Sequence, residues 1–283
     1  MAKQLLEIDT IVPRITGRSQ LLARFTGQPK VTISGGVTCA FLGDGRNLRE
    51  FLVADEAAKI LRRAGHVVNV ILFSDDLDPL DWRQLRVGVN KDPELLEKFQ
   101  GFCGQPISRI PSPFGSNESY SAYFERQLLE RLSEYHCHTN IVRASDLYSN
   151  GLYRPIVDLV LYRGEEILAF LAERFPTYHP QQLFYPICPR CGFMDGCTIS
   201  DRRGDEFEVA CATCQAKYNV PREELQGKMS WKLDCAARWA SFGVDAEPFT
   251  IAYLEPQCGA YVVAQALASH FFKAKEIKPI QYG

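Results

Sequence analysis

The chain has 283 residues, of which 46% are hydrophobic and 23% charged, and its formal net charge is -2. These values are typical of a soluble globular protein with one large domain, or with one domain and an insert. Proteins built mainly to bind nucleic acid are usually basic, so the charge gives no support to such a partner. The sequence has no pattern of an export signal or a membrane span. We therefore expect a cytoplasmic protein whose ten cysteines are thiols or metal ligands.

Residues 31–76 predict a strand, a glycine-rich turn, a helix and a second strand. The β-branched run VTIS (31–34) leads into GGVTCAFLGDGRN, and apolar residues recur at helical spacing in LREFLVADEAAKILRRAG (48–65). HVVNVILFSDD (66–76) is apolar and then abruptly acidic, as expected of a buried parallel strand whose carboxyl end reaches a cleft. This βαβ order predicts an α/β fold with a doubly wound parallel sheet.

Most of the remaining chain predicts helices. Residues 91–150 look mostly helical, and ESYSAYFERQLLERLSEYH (118–136) is strongly amphipathic. We expect another helix over 154–175 and one over 259–272. The last residues, KEIKPIQYG (275–283), predict a short final strand.

Four cysteines in two CxxC pairs predict a structural zinc site in a ribbon-like insert. They are Cys188, Cys191, Cys211 and Cys214. Each pair places two thiolates on one tight turn, and two such turns complete a closed tetrahedral site. The intervening TISDRRGDEFEVA predicts a β-hairpin that turns at Gly204. Three alternatives stay open: a loop of free thiols, a vestigial site that has lost its metal, and Cys197 as a competing ligand.

Four longer stretches resemble the catalytic domain of the class I (archaeal-type) lysyl-tRNA synthetases. They are GQPISRIPSPFGSNESYSAYFERQLLERL (104–132), NLRE (47–50), FSDDLDPL (73–80) and WKLDCAARWASFGVDAEPF (231–249). The resemblance implies a Rossmann-like sheet of the class I synthetase type with helical segments and a zinc-ribbon insert. It also implies a truncated, divergent paralogue that lacks the anticodon-binding region.

We expect this fold to be divided into four parts. They are an N-terminal helical extension (1–30), the first half of the Rossmann-like core with a helical insertion (31–185), the zinc-ribbon insert (186–220) and the second half of the core (221–283).

The resemblance also implies that the nucleotide site is degenerate. The family's H-x-G-N motif holds triphosphate, but the matching residues here are Asp44, Gly45, Arg46 and Asn47. Asp44 would repel phosphate, whereas Arg46 is either too bulky or a substitute cation. The family's G-K-D-H matches 250–253, which is Thr-Ile-Ala-Tyr, and Lys228-Met229-Ser230 precedes the position of the family's lysine loop and only resembles it. ATP is therefore a doubtful cofactor.

The residues that match the family's amino-acid pocket are retained better than those that match its nucleotide site. Glu50 matches the acidic residue that pairs with the ammonium of the substrate lysine, and a carboxylate is a natural partner for a long-chain cation. The alternative is a solvated helix residue paired with Arg46 or Arg49.

Four more residues are candidates for substrate binding. Tyr261 matches a pocket tyrosine, although most such residues belong to a core. Asp234 and Trp239 fall in the matched 231–249 segment and are expected to line the pocket. Asp75 lies at a strand end, where α/β sites form, or caps a turn. No residue stands out as catalytic.

These features leave three functions open. The first is a repurposed synthetase-like core that binds a lysine-like amino acid and transfers or condenses it outside ordinary tRNA charging. Its donor would be an already activated amino acid, for example on the acceptor end of an aminoacyl-tRNA. The second is an ATP-dependent adenylating ligase with Arg46 as the substitute cation and a carrier or a small molecule as the acceptor. The third is a non-catalytic amino-acid sensor or regulatory subunit.

Overall fold

The structure is a computed structural model that describes residues 18–42 and 46–282, without the side chains at 18, 46 and 47. Most of the expected N-terminal extension therefore lies outside the described residues. None of the described helices is both long and apolar enough to span a membrane. The helices are α1 Arg18–Arg24, α2 Arg46–Arg63, α3 Trp82–Gly88, α4 Pro93–Phe99, α5 Tyr120–Glu134, α6 Ala144–Ser149, α7 Arg154–Tyr162, α8 Gly164–Arg174, α9 Trp231–Phe242 and α10 Ala260–Phe271.

The strands form one parallel sheet and two small antiparallel sheets. They are β1 Lys30–Val37, β2 Val67–Ser74, β3 Asn140–Arg143, β4 Phe184–Pro186, β5 Cys197–Arg203, β6 Glu206–Cys211, β7 Ala216–Pro221, β8 Gly227–Met229, β9 Ala246–Thr250 and β10 Lys278–Tyr282. The parallel sheet has the order β10-β9-β1-β2-β3. The chain runs outward from β1 to β3 and then returns to the other side of β1. This confirms the predicted doubly wound sheet.

Helices cover both faces of the parallel sheet. On one face, Ala57 and Leu61 of α2 share a buried cluster with Ile33 of β1. On the other face, Val263 of α10 shares a cluster with Phe73 of β2. β2 contains a buried apolar run over 70–73, as expected of a strand covered on both faces, whereas Val31 and Ile33 of β1 alternate with Thr32 and Ser34.

The cysteine-rich insert is a separate three-stranded antiparallel sheet of β5, β6 and β7. The predicted hairpin is confirmed, and it turns at Gly204, whose φ of 63° lies in the left-handed region. The short strands β4 and β8 pair antiparallel and connect the insert to the main sheet.

One expectation about the middle of the chain is wrong, and another omits an element. The single helix expected over 154–175 is two helices, because Arg163 leaves helical geometry (φ -121°, ψ 27°) directly before Gly164, a poor helix former. Residues 91–150 also contain a strand, β3, which pairs with β2 at the edge of the sheet. Its four residues are too few to give a period of their own, so the pairing decides their structure.

Candidate functional site

A cavity of about 440 Å³ lies at the carboxyl ends of the parallel strands, next to the boundary between β1 and β9. The chain leaves these two neighbouring strands in opposite directions, so a crevice opens between their ends. The lining includes Arg49, Glu50, Asp75, Trp231, Tyr253 and Tyr282. The fold therefore brings together side chains from both halves of the sheet domain.

Glu50 reaches this cavity from the first turns of α2. The backbone N–H of Gly36 donates to its Oε1 at 3.0 Å. Burial, reinforced by the negative charge of Glu247, raises the pKa of Glu50 to about 8. Within the described part of the chain, Glu50 has no salt bridge with a cation, and the alternative pairing with Arg49 is not formed. A bound cation would therefore favour the ionised form of this carboxyl group.

Gly35 and Gly36 allow two side chains to approach the end of β1. A Cβ atom at Gly35 would lie 2.8 Å from the ring of Phe51 and 3.1 Å from Glu50 Oε1. A Cβ atom at Gly36 would lie 2.4 Å from Arg238 Nη1. Because neither glycine has a Cβ atom, α2 packs closely against the backbone of β1 at Gly35, and the buried guanidinium of Arg238 does so at Gly36.

Asp75 lies at the cavity wall, and two buried cations balance its negative charge. Lys228 Nζ lies 3.1 Å from its Oδ1, and Arg238 Nη1 lies 3.4 Å from its Oδ2. Lys228 also contacts Asp78 Oδ1 at 2.5 Å. Burial alone would raise the pKa of Asp75, but Lys228 and Arg238 outweigh it and lower the pKa. Asp75 is therefore a charged carboxylate whose charge is already balanced.

Asp234 and Trp239 are buried behind the cavity and are not part of its lining. The hydroxyl of Tyr148 donates to Asp234 at 2.7 Å, and burial raises the pKa of Asp234. Trp239 Nε1 donates to Glu247 Oε2 at 2.9 Å, and the same oxygen accepts from the hydroxyl of Ser34. Both predicted residues thus hold the wall of the cavity in place.

The remaining predicted substrate and nucleotide residues lie elsewhere. The hydroxyl of Tyr261 donates to the carbonyl of Ile277 at 2.7 Å, and its ring lines a separate cavity on α10. Asp44 is outside the described residues. Arg46 and Asn47 begin α2, but their side chains are not described.

Sequence reasoning missed several side chains that line the cavity. Trp231 and Tyr253 meet edge to face at its mouth, with ring centroids 5.6 Å apart. Tyr282 comes from the end of β10, and Arg49 precedes Glu50. Trp231 and Tyr253 stand inside or beside the matched 231–249 segment, which was a usable signal. Nothing in the sequence indicates that Tyr282 meets Glu50, because only the strand order brings them together.

Lys228 of the Lys-Met-Ser stretch lies on β8, the strand that leaves the insert. Its side chain is 4% exposed, and its ammonium is bound by Asp75 and Asp78. Burial alone would lower the pKa of Lys228, but the two carboxylates raise it. A lysine held between two carboxylates is poorly placed to bind phosphate, in agreement with the reading of this stretch as a look-alike.

The four cysteines of the CxxC pairs form one cluster. Their sulfur atoms all lie within 4.8 Å of one another. Cys188 Sγ and Cys214 Sγ are 3.7 Å apart, and Cys191 Sγ and Cys211 Sγ are 3.6 Å apart. Four thiolates around a tetrahedral zinc with Zn–S bonds of about 2.3 Å would be about 3.8 Å apart. The cluster therefore fits such an ion.

Cys197 is not a member of this four-sulfur cluster. Its thiol lies beside the cluster and donates to the carbonyl of Phe193 at 3.2 Å. The cluster that could hold a metal ion thus consists of the four cysteines of the two CxxC turns.

Comparison with known proteins identifies relatives over most of the chain. The family described as "tRNA synthetases class I (K)" matches residues 16–283. The lysine–tRNA ligase of Archaeoglobus fulgidus is 29% identical over 83% of this chain and 46% of its own length. That of Methanocaldococcus jannaschii is 31% identical over 77% of this chain and 40% of its own length. The chain thus spans less than half the length of these relatives.

Among solved structures, the arginyl-tRNA synthetase of Thermus thermophilus is similar with a TM-score of 0.40 and 16% identity. The match covers 94% of this chain and 51% of that one. A TM-score this low does not support any assignment. The family assignment rests on the sequence matches alone.

Proposed function

This chain belongs to the lysine-type (K) family of class I tRNA synthetases, and on that premise we propose that its cavity binds lysine or a similar cationic amino acid. We further propose that the protein transfers or condenses an amino acid outside ordinary tRNA charging, with an already activated donor such as an aminoacyl-tRNA, whose ester bond breaks and whose tRNA is the leaving group. The observation that carries the proposal is Glu50, a half-buried residue on the cavity wall that forms no ion pair with any cation whose side chain the structure describes.

A long-chain ammonium suits this position because of the charges around it. Asp75 on the same wall is already paired with Lys228 and Arg238, but the charge of Glu247 acts on Glu50 and raises its pKa. A cation placed beside Glu50 would be attracted by Glu50 and Glu247 and would remove the cost of ionising a buried carboxyl group. An apolar side chain of the same length would not reduce the free-energy cost of ionising Glu50.

The cavity offers little to a triphosphate. Arg49 is the one cation among the described lining residues. Lys228 and Arg238 are already bound by carboxylates, so neither is available to phosphate without breaking buried ion pairs. These contacts support a role in which the amino-acid pocket is used and ATP-driven adenylation is not.

The zinc insert has a structural role in this proposal. Cys188, Cys191, Cys211 and Cys214 would hold one zinc ion, and four protein ligands leave no open position for substrate. Because β4 and β8 flank the insert and β8 carries Lys228, the metal would fix the strand that neutralises Asp75.

The proposal is tested by two assays on purified, zinc-loaded protein. Lysine should raise the melting temperature, by the equivalent of about 2.7 kcal/mol at a hundred times Kd. The Glu50→Gln variant should lose this effect, and Glu56→Gln on the same helix should keep it. Lysine-dependent exchange of pyrophosphate into ATP should be absent.

Other outcomes select the alternatives. Clear exchange would show an adenylating ligase and overturn the proposed loss of ATP use. Stabilisation by lysine that is the same in Glu50→Gln would remove Glu50 from the site. Stabilisation without transfer or condensation in the presence of acceptors would indicate the amino-acid sensor.

A further inference from the structure

A second and larger cavity, of about 590 Å³, lies beside the strands that connect the cysteine-rich insert to the main sheet. Its walls come from α6, α7, β4 and the segment 222–227 that leads into β8. It shares none of its described lining residues with the first cavity, which contains Glu50. A ligand in the second cavity would therefore contact a different set of side chains.

Arg109 is the guanidinium of the second cavity that has no carboxylate partner. In the part of the chain that the structure describes, its hydrogen bond goes from Nη2 to the neutral amide oxygen of Gln226, at 2.5 Å. Arg222 also lines the cavity, but its Nε is bound by Asp158 Oδ1 at 2.5 Å. Arg154 contacts carboxylates only at 3.9 Å. An anion in the cavity could therefore pair with Arg109 without breaking an ion pair.

One part of the lining is apolar, and we call it the floor of the cavity. It consists of five buried side chains, those of Leu77, Val157, Phe184, Ile187 and Leu225. Cavities that bind small molecules typically have volumes of about 300–1,000 Å³ and combine an apolar lining with a few polar groups that fix orientation. The second cavity has this size and this composition.

We propose that the second cavity binds an organic anion. The carboxylate or phosphate group of the ligand pairs with Arg109, and its apolar part packs on the floor. A guanidinium binds either acid through two parallel hydrogen bonds. Asp146 and Glu223 also line the cavity, but both are exposed, so water screens their charges. An amine with the same apolar part should not replace the acid.

The test is a calorimetric titration of zinc-loaded protein with three probes of similar shape, phenylacetate, phenyl phosphate and benzylamine. At least one of the two anions should bind about tenfold tighter than benzylamine. The tighter anion shows whether the preferred acid is a carboxylate or a phosphate. Arg109→Gln should weaken the binding of that anion about tenfold. Arg83→Gln, which alters an exposed arginine of α3, is the matched control and should not change it.

Undiminished binding of the anion in Arg109→Gln would overturn the proposal. Loss of binding in Arg49→Gln would then place the anion in the first cavity, which Arg49 lines. Equal binding of benzylamine, or no binding of either anion at about 10 mM, would also overturn it. None of these results touches the proposed function, because lysine binding in the first cavity is tested separately with Glu50→Gln.

Discussion

At the scale of single residues, the site depends on a carboxyl group that is costly to ionise. Glu50 is half-buried, its Oε1 accepts a hydrogen bond from the N–H of Gly36, and the negative charge of Glu247 raises its pKa further. An amino acid side chain with a terminal ammonium would convert that cost into an attraction. The same property should be visible in the ligand-free protein as a dependence of stability on pH.

The free energy of unfolding should fall as pH rises from about 4.5 to about 8, because the folded protein keeps a proton on Glu50 that the unfolded chain releases. Glu50→Gln removes this contribution. Relative to the unaltered protein, the variant should gain stability with rising pH, by up to about 1.4 kcal/mol per pH unit. Urea unfolding at pH 5, 6.5 and 8 measures the difference. A difference that is constant over this range would show that Glu50 is not buried as described.

The residue scale also marks the limit of sequence reasoning about the site. Glu50 and Asp75 were predicted and both line the cavity. Trp239, by contrast, stands in the matched 231–249 segment but donates its indole N–H to Glu247 inside the protein. A sequence motif can indicate that a residue lies near a site, but it does not show whether the side chain points from its helix into the cavity or into the core.

At the scale of elements, β8 couples the insert to the parallel sheet through Lys228. Removing the ammonium in Lys228→Met would take one of two cationic partners from the buried Asp75 and would leave the partly exposed Asp78 without its ion pair. Loss of one partner of a buried ion pair typically costs about 3–5 kcal/mol.

We therefore expect Lys228→Met to lower the free energy of unfolding by that amount in denaturant titrations. Lys217→Met, which removes an exposed pair with Glu208, should change it by less than about 1 kcal/mol. A stable Lys228→Met protein that had lost an ATP-dependent activity would contradict this account and would make Lys228 a phosphate ligand after all.

The insert should contain one zinc ion per chain, measured by elemental analysis of the purified protein. Cys188→Ser and Cys211→Ser should lose the metal, because each removes one of four ligands from a closed site. Cys197→Ser should keep it, since that thiol donates to the carbonyl of Phe193 instead. Loss of zinc in Cys197→Ser alone would assign the site to a different set of sulfur atoms.

Elements with a strong local signal were predictable, and those that depend on distant partners were not. The β1–α2–β2 unit and the hairpin at Gly204 were confirmed because period, glycine position and turn chemistry agree. β3 was missed because its four residues are a strand only through pairing with β2. The break before Gly164 was missed because the apolar pattern continues through it.

At the scale of the whole molecule, the winding of the sheet produces the site. The order β10-β9-β1-β2-β3 places the ends of β1, β2, β9 and β10 around one crevice. Tyr282, near the end of the chain, thereby reaches Glu50 in the first half. The fold class was predictable from the βαβ pattern, but the set of side chains around Glu50 was not, since it needs the three-dimensional course of every strand.

The most direct measurement is a titration at pH 8 of zinc-loaded protein with lysine and with norleucine, which has the same chain but no side-chain ammonium. We predict that lysine binds at least tenfold tighter, and that Glu50→Gln removes the difference. Equal binding of the two amino acids, or an undiminished preference for lysine in Glu50→Gln, would contradict the claim that Glu50 recognises a cationic amino acid.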